Sequence, residues 1–253
     1  MNRNESYPAA QVTNLAVHLA WATLEMLVDD IEEMQVLVSG DDNDVNDLKI
    51  ESKDGRLLVE QPTYGLTIKL NTERWMQLCV RIPRTWKGAV EANTIAGMLN
   101  ARGLTGTDLT LDTVSGDLRA MNLSGIAVNL KTISGDVKAG GLDCEKLAVR
   151  TVSGSVNIQS SAGLSVKLSG VSGDQCLELT RPFERVEATT VSGDVKLYVP
   201  MDKADVALRA VTGRVRTSGV SLLEGAPAVR VTSVSGNLEI NRTEAQAAAG
   251  QAR

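Results

Sequence analysis

Aromatic residues are almost missing: three Trp, three Tyr and one Phe make up 3% of 253 residues. A thick globular core of this size is usually centred on several large rings, so the scarcity points to a thin core of Val, Leu, Ile and Ala. Cysteine is sparse too. Cys79, Cys144 and Cys176 are odd in number and lack CxxC spacing, which argues against a disulfide framework and a zinc site and reads as small buried or half-buried hydrophobes. Positive charge is not in excess, with 26 Lys and Arg against 31 Asp and Glu. Without a clustered basic surface, neither nucleic acid nor an anionic membrane is an expected partner. No stretch approaches the roughly 20 apolar residues that span a bilayer, so no membrane insertion is expected. The start, MNRNESYPAAQVTNLAVHLAW, has no apolar core behind a basic segment and no small-residue cleavage site. The expectation is a cytoplasmic protein, or one of the cell envelope or surface if this chain is a processed piece of a longer one. Motifs of the GxSxG, HExxH and phosphate-loop kinds are absent as well.

What the chain does have is a repeat. Gly97, Gly116, Gly135, Gly154, Gly173, Gly193, Gly213 and Gly236 follow one another at 19, 19, 19, 19, 20, 20 and 23 residues. Around them stand TIAGML, TVSGDL, TISGDV, TVSGSV, GVSGDQ, TVSGDV, AVTGRV and SVSGNL. Two residues before each glycine is a β-branched column: Ile95, Val114, Ile133, Val152, Val171, Val191, Val211 and Val234. Two residues after it come Leu99, Leu118, Val137, Val156, Gln175, Val195, Val215 and Leu238. Apolar residues at alternate positions mark a strand with one buried face, and this pattern places both columns in the core. A second strand starts about twelve residues after the glycine, as at Leu109 and Leu111 or Val128 and Leu130. Two short strands and two corners per repeat cannot bury their surface alone, but parallel stacking gives a shared core. The glycine is expected to serve a tight corner, where positive φ or a missing Cβ is needed.

The fold expected from this pattern is all-β: a single-stranded parallel β-helix, or β-solenoid, of about eight regular coils. Right-handed coiling follows the usual hand of parallel crossovers. The organisation reads as an extension over 1–14, irregular β structure over 15–90, regular repeats over 91–240 and a flexible tail over 241–253. In the irregular region VHLAW, TLEML, MQVLV, LKIES, RLLVE, LTIKL and MQLCVRIP read as strands, with a helix over 15–34 as the competing reading. Trp21, Trp75 and Trp86 are expected in the core or an end cap, and Leu222 and Leu223 as a plug at the far end.

On TVSGDL at 113, TISGDV at 132, TVSGSV at 151 and TVSGDV at 190, the chain resembles the bacterial putative-adhesin family, a domain of unknown function. TLEML, LKIES, KDGRLLVEQP and CVRIP look like that family's first strands. The resemblance implies a β-helix, usually bacterial and often associated with the cell envelope, and carries no catalytic residues.

One position after the glycine lies an acidic column, Asp117, Asp136, Ser155, Asp174, Asp194, Arg214 and Asn237. Asp117 with Asp136, or Asp174 with Asp194, would make a weak cation site, but hard cations want about six oxygens. Carboxylates about 5 Å apart also fit a retaining glycosidase, yet the corners leave little room for a cleft. The favoured reading is a charge ladder, Asp117 with Arg119, Asp136 with Lys138 and Asp194 with Lys196, beside neutral Ser155 and Asn157. His18, the sole histidine, has no nearby nucleophile and reads as a surface residue. No catalytic residue, cofactor or firm metal site is expected. The sequence therefore points to a non-enzymatic structural or binding module for a protein or glycan partner. The alternative is a homo-oligomer by edge or end stacking, a filament scaffold like the bactofilins, with a carbohydrate-active β-helix enzyme a distant third.

Overall fold

The computed structural model describes residues 1–62 and 75–243, so the LTIKL strand and most of the tail lie outside the described residues. The first part of the chain comprises β1 (Asn2–Pro8), β2 (Asn14–Leu19), β3 (Thr23–Asp29) and β4 (Glu33–Gly40), then helix α1 (Asp42–Asp47). It continues with β5 (Lys49–Lys53), β6 (Arg56–Glu60), β7 (Met76–Pro83), β8 (Ala89–Ala96) and β9 (Leu99–Arg102). The middle holds β10 (Thr105–Ser115), β11 (Leu118–Met121), β12 (Ser124–Ser134), β13 (Val137–Gly140), β14 (Asp143–Arg150), β15 (Val156–Ser161) and β16 (Ser165–Ser169). Then come β17 (Gln175–Leu179), β18 (Arg185–Ser192), β19 (Val195–Val199) and β20 (Lys203–Thr212). The last strands are β21 (Val215–Ser218), β22 (Ser221–Leu222), β23 (Ala228–Ser235) and β24 (Leu238–Arg242).

These strands form two 12-stranded sheets, ordered β1-β4-β7-β3-β9-β11-β13-β15-β17-β19-β24-β21 and β22-β20-β23-β18-β16-β14-β12-β10-β8-β2-β6-β5. All-β is right. A single-stranded parallel β-helix is not, because both sheets are mixed and both depart from chain order. β1 and β7 flank β4 antiparallel, and β5 lies antiparallel on β6. β2 sits between β6 and β8, and β23 between β18 and β20. Only the central stretch stacks in sequence, with Leu109 against Val128 and Leu118 against Val137 in parallel register. The repeat encodes this local register. At the two ends the core must be closed and the strand edges managed, and there non-repetitive segments set the topology.

The core is a continuous slab between the sheets, filled by pairs such as Leu109 and Leu111 facing Leu118 and Ala120, all fully buried. Each buried aliphatic side chain contributes about 1.5–3 kcal/mol, so many small residues replace the missing rings. At the amino-terminal end α1 bridges the sheets. Val45 and Leu48 are buried there, and Arg3 donates to the carbonyls of Val45 (3.4 Å) and Leu48 (2.7 Å). Trp86 is buried and its Nε1–H donates to the Val12 carbonyl at 2.5 Å, whereas Trp75 is 56% exposed and no core residue. Leu222 and Leu223 are 60% and 49% exposed, so they do not plug the far end.

Candidate functional site

Each repeat turns at the glycine from one sheet into the other, and that corner stacks four side-chain ladders. The innermost is Thr94, Thr113, Thr132, Thr151, Thr190 and Ser233, all buried. Thr113 continues the inward parity of Leu109 and Leu111, and the residue that follows it therefore points out. Thr190 Oγ1 donates to the Ser192 carbonyl at 3.2 Å, tying the ladder to the corner backbone.

The β-branched column sits on that outward position, which corrects its expected place in the core. Ile95, Val114, Ile133, Val152, Val171, Val191 and Val234 are 42–50% exposed and Val211 79%. In space the order is Ile95 to Val191, then Val234, then Val211, because β23 lies between β18 and β20. Seven strand spacings make this apolar stripe about 34 Å long. Beside it runs a row of exposed hydroxyls, Ser115, Ser134, Ser153, Ser172, Ser192, Ser235 and Thr212, the central ones bridged strand to strand.

The glycines stand next. Gly97, Gly116, Gly135, Gly154, Gly173, Gly193 and Gly236 have φ from +117° to +159°, while Gly213 is not in that region. Close approach adds a second constraint: a Cβ on Gly135 would lie 2.2 Å from the Gly116 carbonyl oxygen, and one on Gly213 2.1 Å from that of Gly236.

The acidic column is a backbone relay. Asp117 Oδ1 accepts from the Asp136 N–H at 3.1 Å, Asp136 Oδ1 from the Ser155 N–H at 3.0 Å, and Asp174 Oδ1 from the Asp194 N–H at 2.9 Å. Asp194 Oδ1 takes the Asn237 N–H at 2.8 Å, and Asn237 Oδ1 the Arg214 N–H at 3.3 Å. Each carboxylate thus supplies an acceptor to a corner amide one strand away. Among the described residues no ion pair within 4.0 Å joins Asp117 to Arg119, Asp136 to Lys138 or Asp194 to Lys196, so the expected charge ladder is replaced by this relay. Asp174, Asp194 and Asn237 border a shallow open hollow of about 420 Å³. Among the described residues no group of three or more His, Cys, Asp or Glu is placed to hold a metal ion.

Gln175, the polar member of the inward column, is 1% exposed, and its Nε2 donates to the Thr189 carbonyl at 3.4 Å. It lies against Gly170, which takes the threonine's place in that repeat: a Cβ on Gly170 would be 2.6 Å from Gln175 Nε2. Arg214 heads the last strand of its sheet, and His18 is half-buried, its Nε2 3.3 Å from Glu91. The second corner expected in each repeat has a backbone signature of its own. Gly103, Asn122, Gly141 and Ser160 share positive φ, and each precedes a buried Leu104, Leu123, Leu142 or Ser161. The Gly-Leu and Asn-Leu steps were its signal.

The arrangement is that of an all-β scaffold with stacked corner ladders. The chain belongs to the Toastrack DUF4097 family, whose model matches residues 12–240. No curated protein matches it. Solved structures share the fold, three of them as follows. A putative adhesin from Bacteroides fragilis is 16% identical, with 96% of this chain and 97% of that one covered and a TM-score of 0.59. A putative adhesin from Parabacteroides distasonis is 15% identical, covering 94% and 97% at a TM-score of 0.62. A putative lipid binding protein from the same species is 12% identical, covering 96% of each chain at 0.55.

Proposed function

We propose that the protein is a non-catalytic binding module whose apolar stripe docks a protein partner. The observation that carries this is the exposure of eight collinear β-branched side chains, Ile95 to Val211. A contiguous apolar row at the surface is the mark of an interaction site. β-Branched side chains have few rotamers to lose, so the row binds at low entropic cost. A glycan partner is less favoured, because sugars are commonly held on aromatic rings and none of the eight positions is aromatic. The flanking serine hydroxyls supply hydrogen bonds at the rim. Catalysis is not part of this reading, since the corner carboxylates are engaged by backbone amides.

The test is affinity capture from a bacterial lysate on immobilised protein, beside flotation with zwitterionic phospholipid vesicles. Polypeptides retained by the native chain should be lost on Val152→Glu with Val171→Glu and kept on Asp136→Asn. Equal retention by the stripe variant, or binding to vesicles alone, would overturn the reading.

A further inference from the structure

The two ends of the slab are unlike in a way that fits one to the other. Counting strands outward from the middle, the sheet that ends in β1 runs one strand further at the amino-terminal end than the sheet that ends in β5. At the other end the order reverses: β22 lies one strand beyond the level of β21. Among the described residues both sheets hold 12 strands. A shift of twelve strand spacings, about 58 Å along the stacking direction, therefore sets a second copy's β1 beside β21 and its β5 beside β22 at the same time.

Among the described residues the carboxy-terminal end is open along that edge. In one series the amide of each inward residue donates to the next strand, from Leu99 to the Asp117 carbonyl through to Leu238 to the Arg214 carbonyl. The corner glycines do the same, from Gly97 to Ser115 through to Gly236 to Thr212. Both series run out at β21, the last strand of its sheet, which leaves the Val215 and Gly213 amides facing outward. Among the described residues the core is uncovered there too: Val215 is 40% exposed and Val206 and Leu208 half-buried, whereas Val195, Leu238, Val229 and Val231 are fully buried.

Charge differs between the ends as well. The outermost strands expose Lys203, Arg209, Arg214 and Arg216, and their Asp205 is already held by Arg230 at 2.8 Å. At the opposite end Asp47 is exposed and Asp41 half-buried at the two ends of α1, with Asp42 3.0 Å from the amino-terminal amine, Asp44 buried, and Lys49 and Lys53 exposed on β5. Trp75, exposed, stands beside Asp41, and its backbone N–H donates to Asp41 Oδ2 at 3.2 Å.

From this geometry we infer that a second copy of the chain docks head to tail, the open β21 and β22 end of one copy on the β1, β5 and α1 end of the next. Both sheets continue across the junction, α1 covers the open core, and the basic strands of one copy meet Asp41 and Asp47 of the next. Two like ends would instead bring Arg209, Arg214 and Arg216 of both copies together. The contact is heterologous and does not close, so assembly extends to filaments.

Sedimentation velocity across protein concentration, with electron microscopy of the concentrated sample, tests this on the full chain. Mass should rise with concentration at low salt, and rods should lengthen in steps of about 58 Å. Val215→Pro removes an outward amide without touching the ladder to β24, and it should stay monomeric with an unchanged melting temperature. Arg214→Glu with Arg216→Glu should weaken association at least tenfold. A species monomeric at every concentration, a closed dimer that grows no further, or undiminished assembly of the folded proline variant would overturn the inference.

Discussion

Asp117 Oδ1 accepts a hydrogen bond from the backbone N–H of Asp136, 3.1 Å away and 19 residues later. The same contact repeats from strand to strand, so the conserved feature of the chemistry within this chain is an acceptor oxygen, not a charge. Asp136→Asn keeps that oxygen and should leave stability within about 0.5 kcal/mol, whereas Asp136→Ala should cost about 1 kcal/mol. Urea denaturation of the two variants checks this. Equal losses would mean that the negative charge itself matters.

Glycine is demanded at the corner twice over. Gly135 has φ +144°, and a Cβ there would lie 2.2 Å from the Gly116 oxygen, with backbone on the receiving side. Gly135→Ala should cost more than about 3 kcal/mol. Gly225 supplies the control: its φ is +82° with nothing within 4 Å, and Gly225→Ala should cost only about 1 kcal/mol. Melting temperatures of both proteins give the comparison.

Gln175 and Gly170 compensate each other. Gly170→Thr alone meets Gln175 Nε2, and Gln175→Val alone leaves the space beside Gly170 unfilled. The pair together restores the threonine and valine of the other repeats. A double-mutant cycle should show favourable coupling of about 1–3 kcal/mol. Additive effects would show that the two positions fill separate sites.

Burial, with Asp143 adding to it, pushes the Cys144 thiol up from 9.0 to about 11. A thiol with that pKa is only about one part in a thousand ionised at pH 8, so iodoacetamide should spare Cys144 in the folded protein and label it in urea. The folded pKa is raised, and the stability linked to this group is therefore full below pH 9 and lost as pH climbs through about 11. Cys144→Ala should flatten the fall in stability across that window. Intact-mass measurement and denaturation at two pH values read the two effects.

The 19-residue register between strands was legible because Gly116, Gly135 and Gly154 recur in step, and the all-β class followed from alternation. The side on which Val114 lies was misread for a physical reason. Alternation carries through a strand but not through a corner, and the parity of Val114 is set by Leu109, Leu111 and Thr113 before it, not by Leu118 after it. The relay at Asp117 was hidden because its partner is a backbone amide, which sequence does not distinguish. Mixed topology was hidden as well, since the antiparallel register of Glu5 on Val36 leaves no repeat to detect.

The insertion of β2 beside β8 joins Asn14 to Ala89, and that of β23 beside β18 joins Arg185 to Ala228 across an intervening excursion of chain. During synthesis the first strand pair emerges long before the strands it must pair with, so assembly cannot simply follow the ribosome from one end. The repeats in the middle pair neighbours in sequence, whereas each end is closed by strands distant in sequence. For the same reason, a repeat can be added or deleted between Gly116 and Gly173, where neighbours in space are neighbours in sequence, but not at either terminus. Changing the number of central repeats would thus change the length of the stripe and leave the two end surfaces as they are.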